Sequence, residues 1–205
     1  MYLSKLTLDP RSKWVRGDLR DLYQMHRTVM RGFPDAKDGG PGRVLFRVDL
    51  PRDTGLPVVL VQSEREPDWT PLGQNEYLAG PAECKPYSPQ LAAGQELRFR
   101  LRANPTVKRD GKRKALNGHD LRLAWLRRKA EAGGFELGWT VDVDEGLVRG
   151  KTGVCPHDHG LQLASVRFEG VLRVVDPERM AATLQTGIGS GKGLGFGLLS
   201  IAPVG

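Results

Sequence analysis

Tyr23 and His26 stand three residues apart in the run Leu22-Tyr-Gln-Met-His-Arg-Thr28. On a helix that spacing lets the two side chains meet. A phenol beside an imidazole, with the guanidinium of Arg27 next in line, is a set able to move a proton at a phosphate. Histidine suits the task because its ordinary pKa lies near neutrality. Two readings stand. The helix expected over residues 16–32 has a wide apolar arc of Leu19, Leu22, Met25, Val29, Met30 and Phe33, and His26 lies inside it. A histidine there is commonly a packed core residue with one hydrogen bond. Alternatively, the arc is wider than one sheet needs. In a two-domain protein part of it would face the gap, where a partly dry His26 could act as acid or base at a phosphodiester.

A second group closes the chain. From Gly187 to Gly197 every second residue is glycine, with Lys192 in the middle. Bare backbone N–H groups in such a run can form an anion-binding concavity, and no compact core by itself calls for that spacing. A nucleotide-binding Walker loop is excluded, since it needs G-x-x-x-x-G-K-[ST] ahead of a helix. Here the spacing is one residue short, Gly193 follows Lys192, and the apolar residues beyond suggest a strand from Leu194 to Ile201. Gly189, Gly191 and Gly193 are therefore candidate phosphate contacts, and Lys192 joins Arg27 as a candidate to stabilise a charged phosphorane.

Cations gather in three further places: Arg98, Arg100 and Arg102 on one strand face; Lys108, Arg109, Lys112, Arg113 and Lys114 in an expected loop around Asp110-Gly111; and Arg127, Arg128 and Lys129 on a helix. Three such clusters in consecutive elements suggest a surface that tracks phosphates. No set of metal ligands stands out. Cys155, His157 and His159 form one local cluster without a CxxC partner, which suits a polar hairpin tip. Asp142, Asp144 and Glu145 follow strand alternation into an acidic turn. Any nuclease chemistry is then expected to be metal-free, with no cofactor.

The whole chain is consistent with this. Its 205 residues suffice for two small cores, and its formal net charge of +7 favours polyanions. No stretch approaches a membrane span, and Met1 to Leu8 alternates like a strand rather than a signal peptide. Two cysteines give no disulfide framework, so cytoplasm is the expected location.

The elements that must position these residues recur in two halves. In the first, a strand over residues 2–8 precedes the helix over 16–32, β-type runs over 43–50 and 56–63, a short helix over 67–72 and a weak strand over 82–86. In the second, a strand over 96–103 precedes a helix over 120–132, β-type runs over 135–143 and 161–175, a helix opened by Asp176-Pro177, and the final strand. The order β-α-β-β-α-β, twice, predicts an α+β fold of two tandem ferredoxin-like domains, 1–86 and 95–205, joined by a short linker.

Several stretches together resemble one family: Leu3-Ser-Lys-Leu6, Leu22-Tyr-Gln-Met-His-Arg-Thr28, Val58-Val-Leu-Val-Gln-Ser63, Glu66-Pro-Asp-Trp69, Leu97-Arg-Phe-Arg-Leu-Arg-Ala-Asn-Pro105, Phe168-Glu-Gly-Val-Leu172 and the glycine run. Together they are similar to the CasE (Cse3) type of CRISPR repeat-processing endoribonuclease, a Cascade subunit, over nearly the whole chain. The resemblance implies tandem ferredoxin-like domains and metal-independent cleavage of a CRISPR repeat hairpin at the 3′ base of its stem. Repeat RNA and other Cascade subunits are the implied partners. It implies His26 as the catalytic histidine, Tyr23 as its partner and Gly187–Gly197 as the glycine-rich loop. The chain departs from the family at Arg31-Gly-Phe-Pro34, where relatives often carry further basic or hydroxyl residues. The rival from another class is a non-catalytic RNA-binding subunit with the same fold, in which His26 belongs to the core.

Overall fold

The computed structural model describes residues 1–51, 53–73, 76–109, 111–150 and 161–205. The chain forms two compact units. One comprises Met1–Ser88, Val148–Gln162 and Gly193–Gly195; the other comprises Pro89–Leu147, Leu163–Lys192 and Phe196–Gly205.

In the first unit the elements run β1 (Tyr2–Thr7), α1 (Lys13–Arg20), α2 (Leu22–Met30), β2 (Val44–Asp49), β3 (Val58–Ser63), α3 (Thr70–Gly73) and β4 (Glu83–Pro86). The strands form one antiparallel sheet in the order β2-β3-β1-β4. Alternation puts Leu6 and Leu8 of the first strand segment, and Val59 and Val61 of β3, on one face. Their partners in the core include Met25 and Val29 of α2. Trp69 closes that core: its ring meets Phe33 edge-on at 5.7 Å, and a Cβ on Gly32 would come within 2.5 Å of it. Only glycine fits there without moving the indole.

The second unit repeats the topology with β5 (Glu96–Ala103), α4 (His119–Ala132), β8 (Phe135–Gly150), β9 (Leu161–Val174), α5 (Pro177–Thr186) and β10 (Leu199–Pro203). Its sheet order is β10-β5-β9-β8. In both sheets the first and third strands are central and the second and fourth lie at the edges, the ferredoxin-like arrangement. β5 alternates strictly: Leu97, Phe99, Leu101 and Ala103 enter the core, while Arg98 and Arg100 are exposed. Asp176 caps α5 by accepting the Arg179 N–H at 3.1 Å, with Pro177 as the first helical residue.

Four expectations are corrected. The helix over 16–32 is two helices. Asp21 is extended (φ −137°, ψ 110°); it ends α1 and caps α2 by accepting the Tyr23 N–H at 2.9 Å. Leu19, placed in the apolar arc, falls before this break and is 38% exposed. The loop over 108–114 is a hairpin of β6 (Thr106–Arg109) and β7 (Lys112–Ala115), with Lys108 opposite Arg113. Asp110 lies outside the described residues. The strand beginning at Phe135 continues to Gly150 because the acidic residues read as a turn are paired to arginines from neighbouring elements. The final strand starts at Leu199 rather than Leu194, since Lys192–Leu194 forms a single 3₁₀ turn.

Candidate active site and nucleic-acid interface

The break at Asp21 starts α2 afresh, and its phase fixes where His26 points. Met25 and Val29 are buried, Tyr23 and His26 are half-buried, and Arg27 is exposed. His26 therefore sits at the margin of the first core, not inside it. The Tyr23 and His26 rings are 6.2 Å apart, tilted by 35°. Across from His26 lies Gly193, one of the three glycine-run residues belonging to this unit. A Cβ built on Gly193 would lie 3.8 Å from His26 Cε1 and Nδ1. Burial pushes the His26 pKa below its ordinary value, because the imidazolium loses hydration; a hydrogen bond to the Gly193 backbone acts the other way. Burial thus favours the neutral form of the imidazole. Gly150, at the end of β8, packs against the start of α2: its Cβ would meet Tyr23 N at 3.6 Å.

The glycine run has an internal reason that sequence reasoning missed. Gly187, Gly189, Gly191, Gly195 and Gly197 all take positive φ, between 72° and 84°. Ile188 and Phe196 between them, and Leu198 just after them, are buried. Left-handed residues let the chain fold back while these side chains enter a core. Close packing reinforces the requirement. A Cβ on Gly189 would meet Trp125 at 3.2 Å, one on Gly191 would meet Phe196 at 3.1 Å, and one on Gly195 would meet Phe46 at 3.1 Å. Gly193 is the exception. Its φ is not positive and no side chain presses on it except His26.

In the second unit the candidate cations sort into two kinds. Arg100 pairs with Glu169 at 2.5 Å, and Arg102 with Glu145 at 2.8 Å. Arg167 joins both carboxylates. Arg102 also donates to Ser165 Oγ at 2.7 Å and lies 5.2 Å from the Phe196 ring centroid. Arg98 donates to the Pro203 carbonyl. The arginines expected to face phosphate are therefore engaged with their own sheet. Asp142 and Asp144, considered as metal carboxylates, hold Arg122, which is buried. Cys155, His157 and His159 lie outside the described residues.

The other kind is exposed. Lys108, Arg113 and Lys114 project from the hairpin, and Arg127, Arg128 and Lys129 from α4, while Trp125 and Leu126 of that helix are buried. Arg109 and Lys112 are paired across the hairpin by backbone register. Arg113 and Lys129 line a cavity of about 360 Å³ together with Trp125, Gly189, Ser190 and Lys192. Ser190 Oγ and Asn104 Oδ1, which also borders it, are buried with no hydrogen-bond partner among the described residues. Lys192 donates to the Thr186 carbonyl at 2.6 Å. This cavity, missed from sequence, has cations at its wall and the Ser190 hydroxyl as a donor able to meet an anion, while Asn104 Oδ1 is an acceptor open to a donor.

These features define a class: a tandem ferredoxin-like protein with a half-buried tyrosine–histidine pair in one unit and an exposed cationic hairpin in the other. A family model described as CRISPR associated protein matches residues 1–203. The chain is 43% identical to the CRISPR-associated endoribonuclease Cse3 of Thermus thermophilus, over 99% of this chain and 100% of the relative. It is 33% identical to the CRISPR system Cascade subunit CasE of Escherichia coli, over the full length of both. A solved structure of CRISPR endoribonuclease Cse3 bound to 19 nt RNA superposes with a TM-score of 0.89 at 43% identity, covering 99% of this chain and 100% of that one. The chain belongs to the CasE (Cse3) family of CRISPR-associated proteins.

Proposed function

We propose that the protein is an endoribonuclease that cuts CRISPR repeat hairpins in precursor RNA, needs no metal or cofactor, and works with other Cascade subunits in the cytoplasm. The observation that carries this reading is His26, half-buried beside Tyr23 and hydrogen-bonded to the Gly193 backbone. A core histidine would be packed among apolar side chains; this one sits at their margin against a bare glycine. Family membership supports the substrate class, and among the described residues no helix is long and apolar enough to cross a membrane.

The chemistry uses RNA's own nucleophile. The 2′-oxygen forms a bond to the adjacent phosphorus as its proton leaves, the bond from phosphorus to the 5′-oxygen breaks, and that oxygen takes up a proton. The products are a 2′,3′-cyclic phosphate and a 5′-hydroxyl. His26 accepts the first proton or supplies the second, an effect of roughly 10²–10⁴-fold. Tyr23 orients the ribose or shares that transfer. Arg27 and Lys192 offset charge on the phosphorane. The hairpin cations Lys108, Arg109, Lys112, Arg113 and Lys114, with Arg127 and Arg128 of α4, hold the stem through its phosphates.

The test is incubation of repeat RNA with the protein in excess EDTA. Cyclic-phosphate ends are expected, and a 2′-deoxy nucleotide before the scissile phosphate should stop cleavage while leaving binding. Strict dependence on Mg²⁺ or Zn²⁺, or cutting of the deoxy substrate, would overturn the mechanism. Binding without any cleavage would favour the non-catalytic subunit.

A further inference from the structure

The helix that carries His26 has a second occupied face. At about 100° per residue, Gln24, Arg27, Thr28 and Arg31 lie roughly 100–200° around α2 from His26. They line a cavity of about 370 Å³ that Trp14, Asp18 and Tyr77 complete. We propose that this cavity binds one unpaired nucleotide of the precursor RNA close to the cleavage point. This rests on the endoribonuclease reading above.

Three observations point to a nucleotide. Trp14 is 61% exposed, the Lys13 ammonium lying 5.1 Å from its ring centroid. An indole left so open at a cavity mouth offers a plate on which any base can stack. Arg27 and Arg31 have no carboxylate partner among the described residues. Two unneutralised guanidinium groups beside an aromatic plate suit a phosphate attached to a base. Asp18 is fixed in place, accepting the Tyr77 hydroxyl at 2.7 Å. Its remaining acceptor capacity suits a base amine or a ribose hydroxyl. A protein-docking groove would instead show a continuous apolar floor, and here buried Leu72 is the main aliphatic contribution. A helix is about 10 Å across, so a nucleotide on this face lies within a short reach of a phosphate at His26.

The test uses the full chain and three RNAs, each with a 2′-deoxy nucleotide at the cleavage point so that binding alone is read. One is the hairpin trimmed at that point; the others extend it by four adenosines on the 5′ or the 3′ side. One extension is expected to tighten binding by about 5- to 100-fold. Trp14→Ala and Arg31→Ala should each remove most of that gain, Trp14→Phe should keep most of it, and binding of the trimmed hairpin should stay unchanged in all three. Equal affinity for trimmed and extended RNA in the wild type would overturn the proposal and assign the exposed indole to a protein partner. So would a Trp14→Ala variant that keeps the gain, or one that weakens trimmed and extended RNA alike. Cleavage of unmodified repeat RNA in EDTA separates the outcomes: if it proceeds while no extension matters, only this pocket fails; if it is absent, the endoribonuclease reading fails.

Discussion

The first helical region of each unit holds the same place in the same topology, yet the two are built differently. In the first unit it is broken at Asp21, and the nine-residue α2 presents a half-buried histidine with a depressed pKa. In the second it is the continuous, fourteen-residue α4, burying Trp125 and Leu126 and turning Arg127, Arg128 and Lys129 to solvent. One position in the fold thus carries the proposed proton chemistry and the other the proposed phosphate contacts. The difference teaches that repeated topology constrains where a helix sits, while caps and breaks decide which side chains it delivers. If labour is divided in this way, variants in the first unit should change the rate at saturating RNA, and variants in the second should change affinity.

The largest effect is expected at His26. His26→Ala should slow cleavage by at least about 10²-fold while hairpin binding stays nearly intact. His26 lies at the edge of the core, so circular dichroism and thermal melting must show the variant folded. A folded variant cutting at the wild-type rate would dissolve the contrast between the helices and return His26 to a packing role.

Next comes the hairpin. Neutralising Lys108, Arg109, Lys112, Arg113 and Lys114 together should weaken hairpin binding, and each lost phosphate contact should lower the slope of log affinity against log salt by about 0.7–0.9. The rate at saturating RNA should change much less. An unchanged affinity and salt slope would mean that the β6–β7 cations are merely solvated.

Much of this was legible in the sequence where structure is local. β5 has the bounds its alternation predicted, Asp176 caps α5, and the β-α-β-β-α-β order gives both sheets. Tyr23 and His26 were paired by helical spacing alone. What escaped depends on partners distant in the chain. The split at Asp21 rests on a side chain folding back on the Tyr23 N–H. The acidic residues on β8 looked like a turn until Arg122 and Arg102 came to meet them. The glycines looked free for phosphate because two of the aromatic rings pressing on them, Trp125 and Phe46, are brought there by other elements, and the third, Phe196, folds back from the run itself. The contact of Gly193 with His26 joins opposite ends of the chain, and no periodicity reports it.

A sharper comparison lies within the second unit, between the exposed cations and those held by carboxylates of their own sheet. Arg102 is held by Glu145, Ser165 and the Phe196 ring. Arg102→Gln should lower unfolding stability by about 1–3 kcal/mol, since it strips a charged hydrogen-bond partner from a partly buried network. Its salt slope for RNA should match the wild type. A slope reduced as much as by a hairpin substitution would show that Arg102 leaves its carboxylate for phosphate.

The smallest expected effect concerns the titration of His26. Its pKa in the folded protein is depressed, chiefly by burial of the ring. The unfolded chain, with an ordinary histidine near 6.5, therefore binds this proton more readily than the folded one. The stabilising contribution is full above that ordinary value and is lost as pH falls through the folded one. Catalysis by the neutral imidazole should follow the same sense, so a rate that needs His26 as base should persist below pH 6.5 before it declines. NMR titration of the histidine rings, with His26→Ala used to assign the signal, should give His26 a midpoint below 6.5. Gly193→Ala sharpens the measurement, because it sets a methyl group 3.8 Å from the imidazole without forcing backbone strain. The added methyl should deepen burial and move the midpoint further down. A midpoint at or above 6.5, unmoved by Gly193→Ala, would mean that the ring is hydrated and that the glycine does not shape its protonation.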